Sequence, residues 1–285
     1  MKDIVVLYHR NCPDGFGGAY AAWKKFGDSA TYIAMHHNQA VPEGLDGKEV
    51  YIIDYSFKKD VMLELEKRAA RLVVLDHHIG AREAVEAVRE HVFDNDRSGA
   101  SIAWRYFHPN APLPRLIAYI EDTDINRMSL PNAHTMSTHL SAQRFDFDVF
   151  EKLMQEVESD EGFEAAVERG EAYREYVSHL ADFLAGKAEE VEFEGHHVFA
   201  INTQVNQHLR DQIGARLSKG RPFAILWMED AAGRVFSMRG DGSVDLSKLA
   251  QKYGGNGHKG AAAFKLLSGA SLPFTYLKTN ESPGN

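Results

Sequence analysis

A chain of 285 residues, 44% apolar and 26% charged, is long enough for two domains with separate cores and has the make-up of an ordinary globular protein. Its net charge of −9 excludes the broad basic surface that grips long duplex DNA, but it leaves room for short or small anionic substrates held by a few local cations. The single cysteine, Cys12, excludes an internal disulfide and fits a reducing compartment. The N-terminus lacks the apolar core of a signal peptide, and no apolar run approaches the roughly 18 residues that span a membrane, so the cytoplasm is the expected location.

A β-branched run over 4–8 predicts the first strand. It is followed by a loop from His9 through Asp14 to Gly15, and then by a small-residue helix over 17–26 whose glycines and alanines let it lie close to a sheet. Strands are expected over 31–35 and 49–54, the latter ending in Asp54. Helical spacing of Val61, Met62, Leu65 and Ala69 predicts a crossover helix over 58–70.

The next strand, Leu72-Val73-Val74-Leu75, is apolar throughout and reads as buried on both faces. It delivers one carboxylate and two imidazoles in a row, Asp76-His77-His78. Ligands of open α/β sheets bind beyond the carboxyl ends of the strands, and Asp with His suits Mn, Fe, Zn or Mg. Adjacent histidines also occur on solvated loops, which is the reading for His36-His37 and His196-His197. The triplet therefore gains weight only from other stretches that repeat the pattern.

A helix over 81–90, a strand over 91–94 and a helix over 100–107 capped by Ser98 come next. An apolar helix over 113–120 then runs into Glu121-Asp122-Thr123-Asp124. The stretch 130–186 is mostly helical by its period, and alternation begins near 191, so the domain boundary is placed at 186. The second domain reads as strands 190–193 and 197–202, helix 207–218, strands 223–228 and 235–239, and helix 246–253. In the following stretch, 254–264, four glycines within seven residues stand beside His258 and Lys259, a composition that favours anion binding. The tail 279–285 is polar and is expected to be disordered.

Strand, helix and strand in this rhythm imply a doubly wound parallel sheet. Four element ends carry His9 with Asp14, Asp54, Asp76 with His77 and His78, and Asp122, which is enough carboxylate and imidazole for one or two divalent metals. Cys12 is set aside, because a thiolate role needs an activating partner that the sequence does not reveal.

In this order, His9 through Asp14-Gly15, Asp54 in Ile-Ile-Asp-Tyr-Ser, Asp76-His77-His78, Asp122-Thr123 and the glycine-rich 254–264 stretch resemble the motifs of the DHH phosphoesterase superfamily, in its subfamily with a C-terminal DHHA1 domain. The resemblance implies an N-terminal DHH domain, 1–186, that holds Mn²⁺, one ion or two, with Mg²⁺, Co²⁺ or Fe²⁺ able to substitute. A smaller α/β DHHA1 domain, 187–285, would bind the substrate. Carried over by position, His9, Asp14, Asp54, His77 and Asp122 would be metal ligands, Asp76 would orient His77, and His78 would face the scissile phosphate. Arg239 with Gly255, Asn256, Gly257 and His258 would grip the distal phosphate or nucleotide. Phe16 stands where many relatives have a second Asp, so one metal would lose a ligand.

The activity so implied is a Mn²⁺-dependent phosphodiesterase that trims short oligonucleotides, or linear and cyclic dinucleotides, to nucleoside monophosphates by means of an activated water, with no side-chain nucleophile. A phosphomonoesterase of the 3′-phosphoadenosine 5′-phosphate type is the enzymic alternative. A non-catalytic nucleotide-binding protein with a degenerate metal site is the alternative of another class. The expected partners are a small nucleotide or short single-stranded oligonucleotide, with neither long duplex DNA nor a membrane, and a homodimer is admissible.

Overall fold

Apolar runs of strand length alternate with helices through the first half of the chain, and they assemble into one parallel sheet. The computed structural model describes residues 2–36, 39–230 and 233–277. Strands β1 (Ile4–His9), β2 (Ala30–Met35), β3 (Glu49–Ile53), β4 (Arg71–Asp76) and β5 (Glu90–Phe93) pair in the order β2-β1-β3-β4-β5, every pair parallel. The connecting helices are α1 (Pro13–Phe26), α2 (Lys59–Arg68), α3 (Arg82–Glu86) and α4 (Gly99–Phe107).

Alternate strand residues feed two cores, which is why these runs carry almost no polar residue. Val5, Leu7, Val50, Ile52, Leu72 and Val74 face Met62 and Leu65 of α2 and Val85 of α3. Val6, Tyr51, Ile53, Val73 and Leu75 face Ala21 and Ala22 of α1 and Ile102 and Ala103 of α4. The expected doubly wound sheet is thus observed. In register, Ile53 lies beside Tyr8 on one side and Leu75 on the other, so the carboxyl ends of β1, β3 and β4 finish nearly level.

Four further helices follow: α5 (Arg115–Asp124), α6 (Ala133–Ser141), α7 (Phe147–Glu158) and α8 (Asp160–Ala185). Leu116, Ile117, Met136, Phe150, Leu153 and Val157 of α5 to α7 share a core with Phe16 and Tyr20 of α1. The chain divides into two compact units, 1–174 and 175–285. The division falls inside α8, whereas the boundary expected from the change of periodicity is the end of that helix. The last turns of α8 explain the offset, because Ala181, Val177 and Leu180 pack with the second unit's hydrophobic residues.

The second unit is a mixed sheet of β6 (Glu189–Phe193), β7 (His196–Asn202), β8 (Phe223–Asp230), β9 (Gly233–Gly240), β10 (Asn256–His258), β11 (Ala261–Leu266) and β12 (Thr275–Tyr276), in the order β10-β11-β9-β8-β7-β6-β12. Glu194 at φ 50° and Gly195 at φ 76° join β6 to β7 with two left-handed residues, the conformation a tight hairpin needs. Among the described strands of this sheet, only β7 and β8 pair in parallel, joined by α9 (Gln207–Leu217), and α10 (Leu246–Gln251) precedes the glycine-rich stretch. No described helix is long and apolar enough to cross a membrane. His37 of the His36-His37 pair and the polar tail from Thr279 lie outside the described residues.

Candidate metal centre

The carboxyl ends of β1, β3 and β4 bring His9, Asp54 and Asp76 to one edge of the sheet, the edge at which α/β sheets bind ligands. Asp76, 1% exposed, organises the turn that follows β4. Its Oδ1 accepts from the backbone N–H of His77 at 2.7 Å and of His78 at 3.2 Å, and it meets His78 Nδ1 at 2.8 Å. This fan of contacts directs the two imidazoles. His77 Nε2 stands among three carboxylates, 3.2 Å from Asp54 Oδ1, 3.4 Å from Asp124 Oδ2 and 3.6 Å from Asp14 Oδ2. His9 Nδ1 lies 3.4 Å from Asp54 Oδ2.

Asp14 is held from the other side. Helix α1 begins at Pro13, earlier than the sequence suggests, because proline at the first helical position needs no N–H partner. Asp14 therefore lies in the first turn of α1 rather than in a loop. Its carboxylate accepts from Gly99 N–H at 2.7 Å and Ala100 N–H at 2.9 Å, the free amides that open α4. Ser98 caps the same helix end, accepting from Ser101 N–H as expected. A Cβ on Gly99 would stand 2.6 Å from Asp54 Cβ and 3.0 Å from Asp14 Oδ2, so only glycine lets α4 approach the two carboxylates. Asp54 itself has φ 53°, a left-handed conformation that aspartate tolerates better than most side chains.

Asp122, a ligand by the carried-over motif, is not in the cluster. Its Oδ1 accepts from Ser129 N–H at 3.0 Å and Ser129 Oγ at 2.6 Å, and its Oδ2 accepts from Leu130 N–H at 3.0 Å, so it staples the turn after α5. Asp124, two residues on, reaches His77 instead, with its side chain one quarter exposed. The reason is helix phase: at about 100° per residue, positions two apart point to nearly opposite sides. Asp124 ends the acidic stretch Glu121-Asp122-Thr123-Asp124, and that run was the only signal for it. The same phase separates Asp14 from Phe16, which is 2% exposed and packs its ring on Tyr8, Phe145, Phe147 and Phe150.

Among the described residues, donor atoms fall into three groups, each with its atoms within 4.8 Å of one another: Asp54, Asp76, His77 and His78; His9, Cys12 and Asp54; and Asp14, His77 and Asp124. Asp54 and His77 each belong to two of them. The set suits a divalent cation, since hard carboxylate oxygens and imidazole nitrogens surround a point with little positive charge of its own. Two buried oxygens, Asp54 Oδ2 and Asp76 Oδ2, have no hydrogen-bond donor, and a buried carboxylate oxygen without a donor is costly unless a cation faces it.

The electrostatics record this crowding. Burial and then the carboxylates of Asp54 and Asp124 push Asp14 well above the usual carboxylate range. Burial and Asp54 raise Asp124 to about 6. Burial would also raise Asp54, but the imidazoles of His77 and His9 beside it outweigh burial and hold the group at about 2. Burial opposes charge on His77, yet Asp54, Asp14 and Asp124 lift it to about 9. Burial, Asp54 and Asp14 push the Cys12 thiol up to about 12.

The remaining predicted residues lie in the second unit. Arg239 on β9 donates through Nε to Asp211 Oδ1 at 2.7 Å and through Nη1 to Met238 O at 3.0 Å. Burial and Arg239 lower the pKa of Arg210, which places a second guanidinium near the first that the sequence did not single out. The glycine-rich stretch forms a β10–β11 hairpin rather than an open loop, with Asn256, Gly257 and His258 exposed. A Cβ on Gly255 would stand 2.2 Å from Ala263 O and 2.5 Å from Phe264 Cβ, so close strand packing accounts for that glycine. The amides of Gly254, Gly255 and Gly257 donate to Gln251 O, Ala250 O and Asn256 Oδ1, so these three glycines do not turn their N–H groups to an anion.

No protein-family model matches the chain. An uncharacterized protein of Acanthamoeba polyphaga mimivirus is 29% identical over 298 residues, covering 95% of this chain and 69% of the relative. Among solved structures, the DHH domain of a member of the s1p family of ribosomal proteins aligns with a TM-score of 0.62 at 12% identity, over 96% of this chain and 83% of that one. A pGpG-specific phosphodiesterase from Vibrio cholerae, PggH, aligns with a TM-score of 0.53 at 14% identity, over 94% of both chains. The fold is therefore that of DHH-domain proteins, in agreement with the order of the motifs.

Proposed function

We propose that the protein is a Mn²⁺-dependent phosphoesterase of the DHH–DHHA1 type that acts in the cytoplasm. Its substrates in this reading are short oligonucleotides or linear and cyclic dinucleotides, released as nucleoside monophosphates. One observation carries the reading. Asp14, Asp54, Asp76 and Asp124 converge with His9, His77 and His78 at the carboxyl edge of a parallel sheet, and two of the buried carboxylate oxygens lack a donor. The fold shared with a pGpG-specific phosphodiesterase supports a nucleotide substrate.

In this reading His9, Asp14, Asp54, His77 and Asp124 hold the cation, with Asp124 in the place first given to Asp122. A divalent cation held there would lower the pKa of a water and draw charge from a phosphoryl oxygen. The chain's own groups supply order. Asp14 is pinned to the start of α4, so its carboxylate has little freedom to turn away. Asp76 holds the backbone after β4 and contacts His78 through Nδ1, which leaves Nε2 of that half-exposed ring for the substrate. The Asp76 contact raises the His78 pKa and favours the protonated ring, a donor suited to a phosphoryl oxygen. Residues 1–186 are thus assigned the chemistry. Residues 187–285 are assigned substrate binding, through Arg239 and the Gly255, Asn256, Gly257 and His258 stretch.

The test is a panel at matched concentration with Mn²⁺: a 5′-phosphorylated dinucleotide, a short RNA oligomer, cyclic dinucleotides, 3′-phosphoadenosine 5′-phosphate and pyrophosphate. Preferential cleavage of a dinucleotide or short oligomer is expected. Selective loss of the 3′-phosphate would replace the diesterase by the monoesterase. An untouched panel with metal bound would refute this substrate class, and an untouched panel with no metal bound would favour the non-catalytic nucleotide binder.

A further inference from the structure

Cys12 is the chain's single cysteine, and the fold places it where the sequence offered no partner for it. It occupies the N-cap of α1 with extended backbone angles, φ −125° and ψ 131°, yet its side chain makes no capping hydrogen bond. Its carbonyl accepts from Phe16 N–H at 3.0 Å, and the Gly15 amide faces the sulfur. The thiol is partly buried, and its sulfur lies within 4.8 Å of a ring nitrogen of His9 and a carboxylate oxygen of Asp54. Asp54 is 1% exposed, and its Oδ2 has no hydrogen-bond donor; His9 Nδ1 is 3.4 Å away. The first turn of α1 offers one carboxylate, Asp14, because Phe16 is turned into the aromatic core.

We propose that Cys12 is a metal ligand, coordinating as a thiolate together with His9 and Asp54, and that it biases this part of the centre toward Zn²⁺, Fe²⁺ or Co²⁺ over Mn²⁺ or Mg²⁺. The proposal rests on the reading of the cluster as a metal centre. The spacing is compatible with one ion, since donors at about 2.0–2.3 Å from a metal stand roughly 3–4.5 Å from one another. Sulfur is a soft donor among hard carboxylates, and softness is what separates zinc, iron and cobalt from manganese and magnesium. On binding, the S–H bond is replaced by a sulfur–metal bond and the proton leaves to solvent. The positive charge of the ion offsets the carboxylates that otherwise disfavour a thiolate at this position.

The test uses the full chain stripped of metal and reloaded with Co²⁺. Because no other cysteine exists, any thiolate-to-cobalt charge-transfer band in the near ultraviolet comes from Cys12. The expected result is such a band in the native protein and its loss in Cys12→Ser with cobalt still bound. Zn²⁺ affinity should fall at least about tenfold in the variant, while Mn²⁺ affinity changes by less than about threefold. If the serine variant fails to fold by circular dichroism, the native thiol decides: bound Zn²⁺ should slow its reaction with a thiol reagent at least about tenfold. Cobalt bound with no sulfur band and an equally reactive thiol overturns the role of Cys12 and leaves the metal centre standing. No cobalt bound at all overturns the metal-centre reading and this proposal with it.

Discussion

The two ends of the parallel sheet use charge in opposite ways. At the amino end, Arg71 of β4 lies between two acids, donating to Glu49 Oε1 at 2.7 Å and Glu90 Oε2 at 2.7 Å, and it also reaches the hydroxyls of Tyr51 at 3.1 Å and Tyr106 at 3.0 Å. The guanidinium is surrounded by acceptors, and neither carboxylate is left with a buried oxygen that lacks a donor. At the carboxyl end, four aspartates crowd three histidines, two buried oxygens have no donor, and Asp14, Asp124 and His77 are all displaced from their ordinary titration. Structural charge is balanced within the chain. In the proposed reading, the charge crowded at the carboxyl end would be balanced by a divalent cation.

The largest effect that would break this contrast is expected from Asp54→Ala. Asp54 belongs to two of the three donor groups, so metal affinity and turnover should both fall by more than about 100-fold, beyond what losing an outer partner costs. Calorimetric titration with Mn²⁺ beside the hydrolysis assay reads both, and a variant that binds and turns over like the native chain would remove the assignment.

A sharper division comes from Asp124 and Asp122. The Asp124 carboxyl sits above its ordinary 3.8, at about 6, so its contribution to stability is full below about pH 4 and disappears as pH rises through about 6. A cation needs the carboxylate, so metal affinity should climb over that same interval. Asp124→Asn should remove the part of the climb centred near pH 6, leaving the rise at higher pH that the deprotonation of His77 causes. Asp122→Asn should leave the whole climb in place while costing about 1 kcal/mol of stability through the Ser129 and Leu130 hydrogen bonds. The reverse pattern would return the ligand role to Asp122.

The smallest effect is expected at the amino end. Arg71→Met removes a guanidinium shared by two acids, but with 39% of that side chain exposed the loss should be about 1 kcal/mol of stability. Metal affinity should not change. A drop in affinity larger than the drop in stability would show that the two ends are coupled.

Much of the site was legible because apolar strands of even length end where polar residues begin. The runs before His9, Asp54 and Asp76 each announce a strand and its last residue, and the parallel topology brings those ends together. Helix ends are harder to read. Pro13 draws Asp14 into α1, and the acidic run at the end of α5 contains two aspartates whose order along the chain says nothing about which faces the cluster. The glycines near His258 resemble an anion loop in composition, but they serve strand packing as well, and composition cannot separate the two uses.

The sequence by itself determined the layered α/β architecture, the strand ends and the types of donor gathered there, because these follow from period and from chain direction. Only the tertiary structure decided that Asp124 rather than Asp122 faces His77, that Phe16 turns into the core, and that Cys12 stands beside His9 and Asp54. Those outcomes depend on helix phase and on where each helix begins, and a shift of two residues there reverses which side chain faces the site.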